Sequence, residues 1–369
     1  MIGAGRPVFA LFPAWVCLVC ALPLSAQPSA HRPVFQKGMT FTHGYGSDDN
    51  LMSGTSTAAL EHLRRVNVEW TALNPFAYQR TVDDAALRFG RDPPDDHLRH
   101  GIREARRLGF KVMLKPHVWV RRQSSDHWRG TIGMATEEAW QQWWSHYESF
   151  VLHYARIAAE EGVEIFCVGV ELTRVARERP EDWRRLIARV REAYPGPLTY
   201  AANWWEEYDR VEFWDALDYI GVNAFFPLTE PPDPGLEQPD PTLEQLRAGA
   251  VRVADEIEAL HQLTGRPVLL TEIGYKSVRG ASLRPWEWTR RPEPDLSMEE
   301  QALCYQAVLE AFWPRPWFHG MYWWKWHSDL RGGEEQGGFT PHGKPAERVL
   351  TEWYQRLRPV PPTPVRPPR

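Results

Sequence analysis

The 369-residue chain is poor in cysteine, in basic runs and in long apolar stretches, and each shortage removes a class of protein. Of its four cysteines, Cys17 and Cys20 fall in the N-terminal segment, and no Cys/His cluster has zinc-site spacing. A disulfide scaffold and a structural zinc domain are thereby excluded. Cys167 and Cys304 stand among apolar neighbours and read as small buried core residues. Lys and Arg total 43 against 48 Asp and Glu, a net charge of −5, so neither nucleic acid nor an anionic membrane is an expected partner. Beyond the N-terminal segment no stretch reaches the roughly 18 apolar residues that span a bilayer. No glycine-rich phosphate turn follows an early strand, which argues against a doubly wound dinucleotide fold. His43 stands alone after the first expected strand, without a His-x-His pair, so no metal or other cofactor is expected.

At the N-terminus Arg6 precedes an apolar run from Val8 to Leu24, and Leu24-Ser25-Ala26 offers a small-residue cleavage pattern before Gln27. Residues 1–26 read as a secretory signal peptide, with an uncleaved anchor as the alternative. The mature product is expected to be secreted or periplasmic, a monomer with no stable membrane insertion. Residues 27–36 form a lead-in, 37–357 a single folded domain, and 358–369 a Pro-rich tail expected to lack order. Tryptophan is abundant, 19 in the chain, with adjacent pairs at Trp143-Trp144, Trp204-Trp205 and Trp323-Trp324. Sugar rings present apolar C–H faces that aromatic platforms bind well, so the composition leans towards carbohydrate.

Within the domain, short apolar segments alternate with helical patterns. Strands are expected at Gly38–Phe41, Val66–Trp70, Lys111–Lys115, Ile165–Val170, Leu198–Ala202, Asp218–Val222, Val268–Thr271 and Gly320–Trp324. Helical spacing appears between them, as in Leu98, Ile102, Ala105 and Leu108, and in Trp183, Leu186, Ile187 and Val190. Ser297 and Glu300 have the spacing of a capping box. Eight such units are the count for an α/β fold of the (β/α)8 TIM barrel type, in a single domain.

In that fold the active site lies at the C-terminal ends of the strands. The residues found there are Asn74 and Gln79, Lys115 and His117, Glu171, then Asn203, Trp204 and Trp205, then Asn223, Glu272, Trp324 and Trp326. Two carboxylates ending apolar strands, surrounded by amides, cations and aromatic faces, suit glycoside hydrolysis. A retaining mechanism asks for carboxyls about 5–5.5 Å apart, one attacking the anomeric carbon while the other protonates the leaving oxygen. Lys115 and His117 are candidates for holding sugar hydroxyls, and Trp324 for a platform under the reacting sugar. Trp128, Trp286 and Trp288 are placed in loops at the mouth. The residues alone leave open a hydrolase or transglycosylase of any β-glycan, and a non-catalytic carbohydrate-binding barrel.

Several segments resemble glycoside hydrolase family 113: Lys115-Pro116-His117-Val118, Gly169-Val170-Glu171-Leu172, Phe225-Phe226-Pro227-Leu228, Leu270-Thr271-Glu272-Ile273-Gly274-Tyr275, Gly338-Phe339-Thr340-Pro341 and Gly343-Lys344-Pro345-Ala346. The resemblance runs from about Lys37 to Tyr354. It implies Glu171 as acid/base, Glu272 as nucleophile, and β-1,4-mannosidic links in mannan or glucomannan as substrate. Two features depart from the wider clan of such barrels. Val170 stands where Asn usually precedes the acid/base, a change the family shares. Phe225 lies where a tyrosine often steadies the nucleophile, leaving Tyr275 or Asn223 as replacements.

Overall fold

Strands buried on both faces read as continuous apolar runs, and those runs here close into a barrel. The computed structural model describes residues 35–43, 50–124, 126–232, 240–288, 295–333 and 337–358. The expected signal peptide, the lead-in before residue 35 and the tail beyond residue 358 lie outside the described residues. Barrel strands are β1 (Gln36–Thr42), β2 (Trp70–Leu73), β4 (Lys111–Leu114), β6 (Ile165–Val170), β7 (Leu198–Asn203), β8 (Tyr219–Asn223), β9 (Val268–Ile273) and β10 (Phe318–His327). They pair in that order, all parallel, and β10 returns to β1 to close the ring. The fold is a single-domain TIM barrel, with every described residue in one compact unit. Among the described residues no helix is long and apolar enough to cross a membrane.

Alternation sorts the strand residues into two sets. Trp70, Ala72, Met113, Ile165, Leu269 and Tyr322 pack together inside the barrel, whereas Leu73, Val112, Phe166, Ile220, Leu270 and Trp323 join the layer between strands and helices. Trp323 stacks on Tyr305 of the helix Met298–Phe312 at 3.6 Å, so its neighbour Trp324 is left to the mouth. Each large side chain fully buried in that layer contributes about 1.5–3 kcal/mol.

Three expectations need correction. The second strand begins at Trp70 rather than Val66, because Val66 caps helix α1 (Gly54–Arg65) and Asn67 turns left-handed at φ 65°. Two further strands, β3 (Phe76–Gln79) and β5 (His117–Val120), pair with each other above the barrel. Each continues a barrel strand past a proline, Pro75 or Pro116, which has no N–H to give to a ladder. The capping box at Ser297 is half made: its side chain accepts from Glu300 N, but the Glu300 carboxylate turns to Gly280 N and Ser282 N at 2.8 and 2.9 Å. That carboxylate pins the loop after β9 instead.

The connection from β7 to β8 carries only the 3-10 turn Trp214–Ala216. Elsewhere the helices follow their capping chemistry. Thr136 accepts from Ala139 N to open the helix Glu137–Glu160, and Thr242 and Gln245 form a full capping box on the helix Leu243–Thr264. Cys167 and Cys304 are buried free thiols, as expected.

Candidate active site

Inward parity carries the strand pattern directly into the mouth. Counting by twos from the interior residues, Trp70 and Ala72 lead to Asn74, Met113 to Lys115, Ile165 and Cys167 to Glu171, and Tyr322 to Trp324. Glu272 does not follow this count, since Leu269 already faces inward. The register resolves it. Against β8, Val222 pairs with Leu270 but Asn223 pairs with Glu272, and against β10, Met321 pairs with Leu270 but Trp323 with Ile273. One extra residue in β9 relative to both neighbours makes a bulge at Thr271–Glu272, which re-aims the Glu272 side chain into the mouth.

The Glu272 carboxylate accepts from the ammonium of Lys115, a fully buried pair, and Lys115 Nζ also donates to Thr271 O at 3.1 Å. His117 Nε2 stands 3.6 Å from Glu272 Oε1 with no hydrogen-bond partner. Burial raises the Glu272 carboxyl above its usual range, opposed by the Lys115 charge and reinforced by Glu171. Burial also holds His117 well below its usual range, with Lys115 and Arg129 adding to it, so the imidazole is neutral. Lys115, not Asn223, is thus the group that bonds the Glu272 carboxylate. Tyr275 does not: it is buried in the layer against Cys304 and Tyr305, away from the barrel interior.

Glu171 directly follows β6 and lies in the left-handed region at φ 50°. Asn223 Nδ2 donates to its Oε1 at 2.9 Å, and Asn223 Oδ1 accepts from Thr271 Oγ1 at 2.9 Å, so one amide links the two strands that carry the glutamates. Arg129 donates through Nε and Nη2 to Glu171 Oε2 at 2.9 and 2.6 Å. Burial works against the Arg129 charge, but Glu171 and Glu272 outweigh it.

The remaining expected residues divide. Asn74 is buried at the end of β2 with neither amide atom hydrogen-bonded, a donor and acceptor free for a ligand. Trp324 packs with Phe225 and Phe339 and is flanked by Trp288, itself 57% exposed. Trp204 is half-buried against that cluster and meets the exposed Trp286 at 4.9 Å. Asn203 Oδ1 accepts from Trp205 N at 2.7 Å, shaping the turn after β7. Gln79 bonds Trp143 of the helix Glu137–Glu160, and Trp326 packs on His62 and His342, so neither faces the mouth. Trp128 packs beside Gly130 in the turn that bears Arg129.

Two charged residues of this region escape sequence reasoning. Arg129 sits in the 3-10 turn Arg129–Thr131, in a loop with no periodicity to mark it. Glu207 follows the exposed Glu206 yet is wholly buried, and no sequence signal separates the two.

Two glutamates facing one mouth beside an aromatic floor, one held by a buried lysine and the other by an arginine and an amide, suit acid-assisted displacement at the anomeric carbon of a sugar, and the protein is a glycoside hydrolase. Its membership is equally definite. The chain belongs to Glycoside Hydrolase Family 113, whose model matches residues 39–344. A structure of a family 113 β-1,4-mannanase is similar at 31% identity and TM-score 0.76, covering 87% of this chain and 99% of that one. A family 113 β-mannanase from Alicyclobacillus acidocaldarius, in complex with ManMIm, is 29% identical with TM-score 0.75, covering 87% and 97%. A β-glucuronidase from Faecalibacterium prausnitzii, 14% identical over 89% of this chain and 50% of that one with TM-score 0.59, shares the fold alone. Among curated proteins none matches this sequence.

Proposed function

We propose that the enzyme hydrolyses β-1,4-mannosidic bonds in mannan or glucomannan with retention of configuration, and that it acts outside the cytoplasm as a monomer after its N-terminal segment is removed. The unequal setting of the two glutamates carries this reading. A buried ammonium on Glu272 favours the carboxylate that a nucleophile requires, while Glu171 meets the guanidinium of Arg129 on one oxygen and the amide of Asn223 on the other. Glu272 attacks the anomeric carbon as Glu171 passes a proton to the glycosidic oxygen and the C–O bond breaks. Water then attacks the glycosyl-enzyme, Glu171 takes its proton, and Glu272 departs. The Arg129 fork occupies Glu171 Oε2, so the proton travels from the oxygen that Asn223 shares, or Arg129 withdraws when glycan enters. Asn74, His117 and Lys115 are the polar groups nearest a sugar in the reacting subsite, with Trp324 beneath it. Mannan as substrate is supported by the mannanases to which the chain is 30% and 31% identical.

The test is a product assay on purified protein offered mannohexaose, cellohexaose and xylohexaose side by side, with Glu272→Ala as control. Shorter manno-oligosaccharides from the parent alone, released as the β-anomer by NMR, are the expected outcome. Cleavage of another hexaose in preference moves the substrate to a different β-glycan. Longer products reveal a transglycosylase, and an α-anomer removes the retaining mechanism.

A further inference from the structure

Behind Glu171 lies a second buried carboxyl that the reaction as described does not use. Glu207, in the turn after β7, is 0% exposed, and no lysine, arginine or histidine among the described residues forms an ion pair with it. Its Oε2 accepts from Asn203 N at 2.7 Å and from Thr173 Oγ1 at 3.0 Å. Its Oε1 accepts from the Tyr200 hydroxyl, and that hydroxyl accepts from Leu172 N at 2.8 Å. Every branch ends beside Glu171: Leu172 and Thr173 follow it directly, and Asn203 ends the adjacent strand.

The need for such a clamp is visible in the backbone. Glu171 is held at φ 50°, a region that costs a residue with a Cβ on the order of 1 kcal/mol and persists only where the surroundings enforce it. The hydrogen bond from Glu171 N to Ala201 O at 2.9 Å secures one side of the residue. The Glu207–Tyr200 network secures the other.

We propose that Glu207 is a positioning residue for the acid/base step, acting through Tyr200 and Thr173 to set the direction in which Glu171 presents its carboxyl to the glycosidic oxygen. This rests on the reading of Glu171 as acid/base. Burial pushes the Glu207 carboxyl up to about 8. In its neutral form the Oε1 hydroxyl donates to the Tyr200 oxygen in place of accepting from it, and the Nε2 of glutamine can make the same donation while its oxygen accepts from Asn203 and Thr173.

The experiment compares two substrates of the full chain: mannotetraose, whose leaving group must be protonated, and a dinitrophenyl β-mannoside, whose leaving group need not be. Glu207→Ala and Tyr200→Phe should lower kcat/KM on mannotetraose by about 10- to 100-fold, within the range of general acid catalysis, and change the dinitrophenyl substrate by less than about three-fold. Glu207→Gln should restore mannotetraose turnover to near the parent. Glu171→Ala, run alongside, should show the same selective loss in larger measure. Equal losses on both substrates in the Glu207 and Tyr200 variants, or no loss on either, overturn the positioning role while leaving Glu171 in place. Equal losses in Glu171→Ala overturn the acid/base assignment and the proposal with it. Tyr200→Phe and Glu207→Gln retain the core volume, so they decide the matter even where Glu207→Ala fails to fold.

Discussion

Replacing Lys115 by methionine tests the electrostatics of the nucleophile. Lys115 is fully buried, its ammonium sits on Glu272, and its charge is the largest influence holding that carboxyl down against burial. Methionine keeps the length and the apolar contacts of the stem but removes the charge. Two effects follow. Breaking a buried pair by removing one partner costs about 3–5 kcal/mol, because the other charge is left uncompensated. The Glu272 carboxyl, already raised, also rises further, so less of it is ionised at any given pH. Each unit of that rise corresponds to about 1.4 kcal/mol and to a tenfold loss of kcat/KM on the acid side of the profile. The acid limb of kcat/KM against pH should therefore move to higher pH by at least about one unit. Stability must move with the opposite slope. A carboxyl whose folded pKa lies above its unfolded value supports the fold fully below the unfolded value, and that support is lost as pH rises through the folded one. The deficit of the variant should accordingly be small in acid and widen towards neutrality, measured by urea denaturation at a series of pH values. An unmoved acid limb, or a deficit independent of pH, would refute the coupling.

Arg129→Gln should move the same limb in the same direction but by less, since Arg129 bonds Glu171 and acts on Glu272 only through space; a shift larger than that of Lys115→Met would contradict the assignment of partners. Gly249→Ala should cost about 1–3 kcal/mol, because the added Cβ would fall 2.0 Å from the Leu228 carbonyl oxygen, and unchanged stability in denaturant would show that the helix Leu243–Thr264 can shift. Trp324→Leu should lower kcat/KM on oligosaccharides by about tenfold, the worth of one good aromatic contact, with far less effect on the melting temperature; an unaltered kcat/KM would place the sugar elsewhere.

Much of the site is legible in the chain because strand periodicity is local. Glu171, Lys115 and Asn223 each end a short apolar run, and a residue that ends a barrel strand on inward parity is delivered to the mouth whatever surrounds it. The same reasoning overreaches at Tyr275, which lies beyond the bulge in β9 and turns outward onto Cys304 and Tyr305. It also overreaches at Gln79, which lies beyond Pro75 in the two-stranded sheet and bonds Trp143. Arg129 and Glu207 are invisible to it because loops have no period, and an arginine or glutamate in a loop is ordinarily solvated.

Sequence alone therefore determines that eight apolar runs alternate with helices, that they form a parallel barrel, and that two glutamates end its fourth and seventh strands. Those are properties of spacing and side-chain type, which neighbouring residues decide among themselves. Tertiary structure decides which way Glu272 points and which cation it meets. Its aim depends on one extra residue in β9 measured against both β8 and β10, and its partner Lys115 stands 157 positions away in the chain. Register and long-range pairing exist only once the ring has closed, so no local pattern could have carried them.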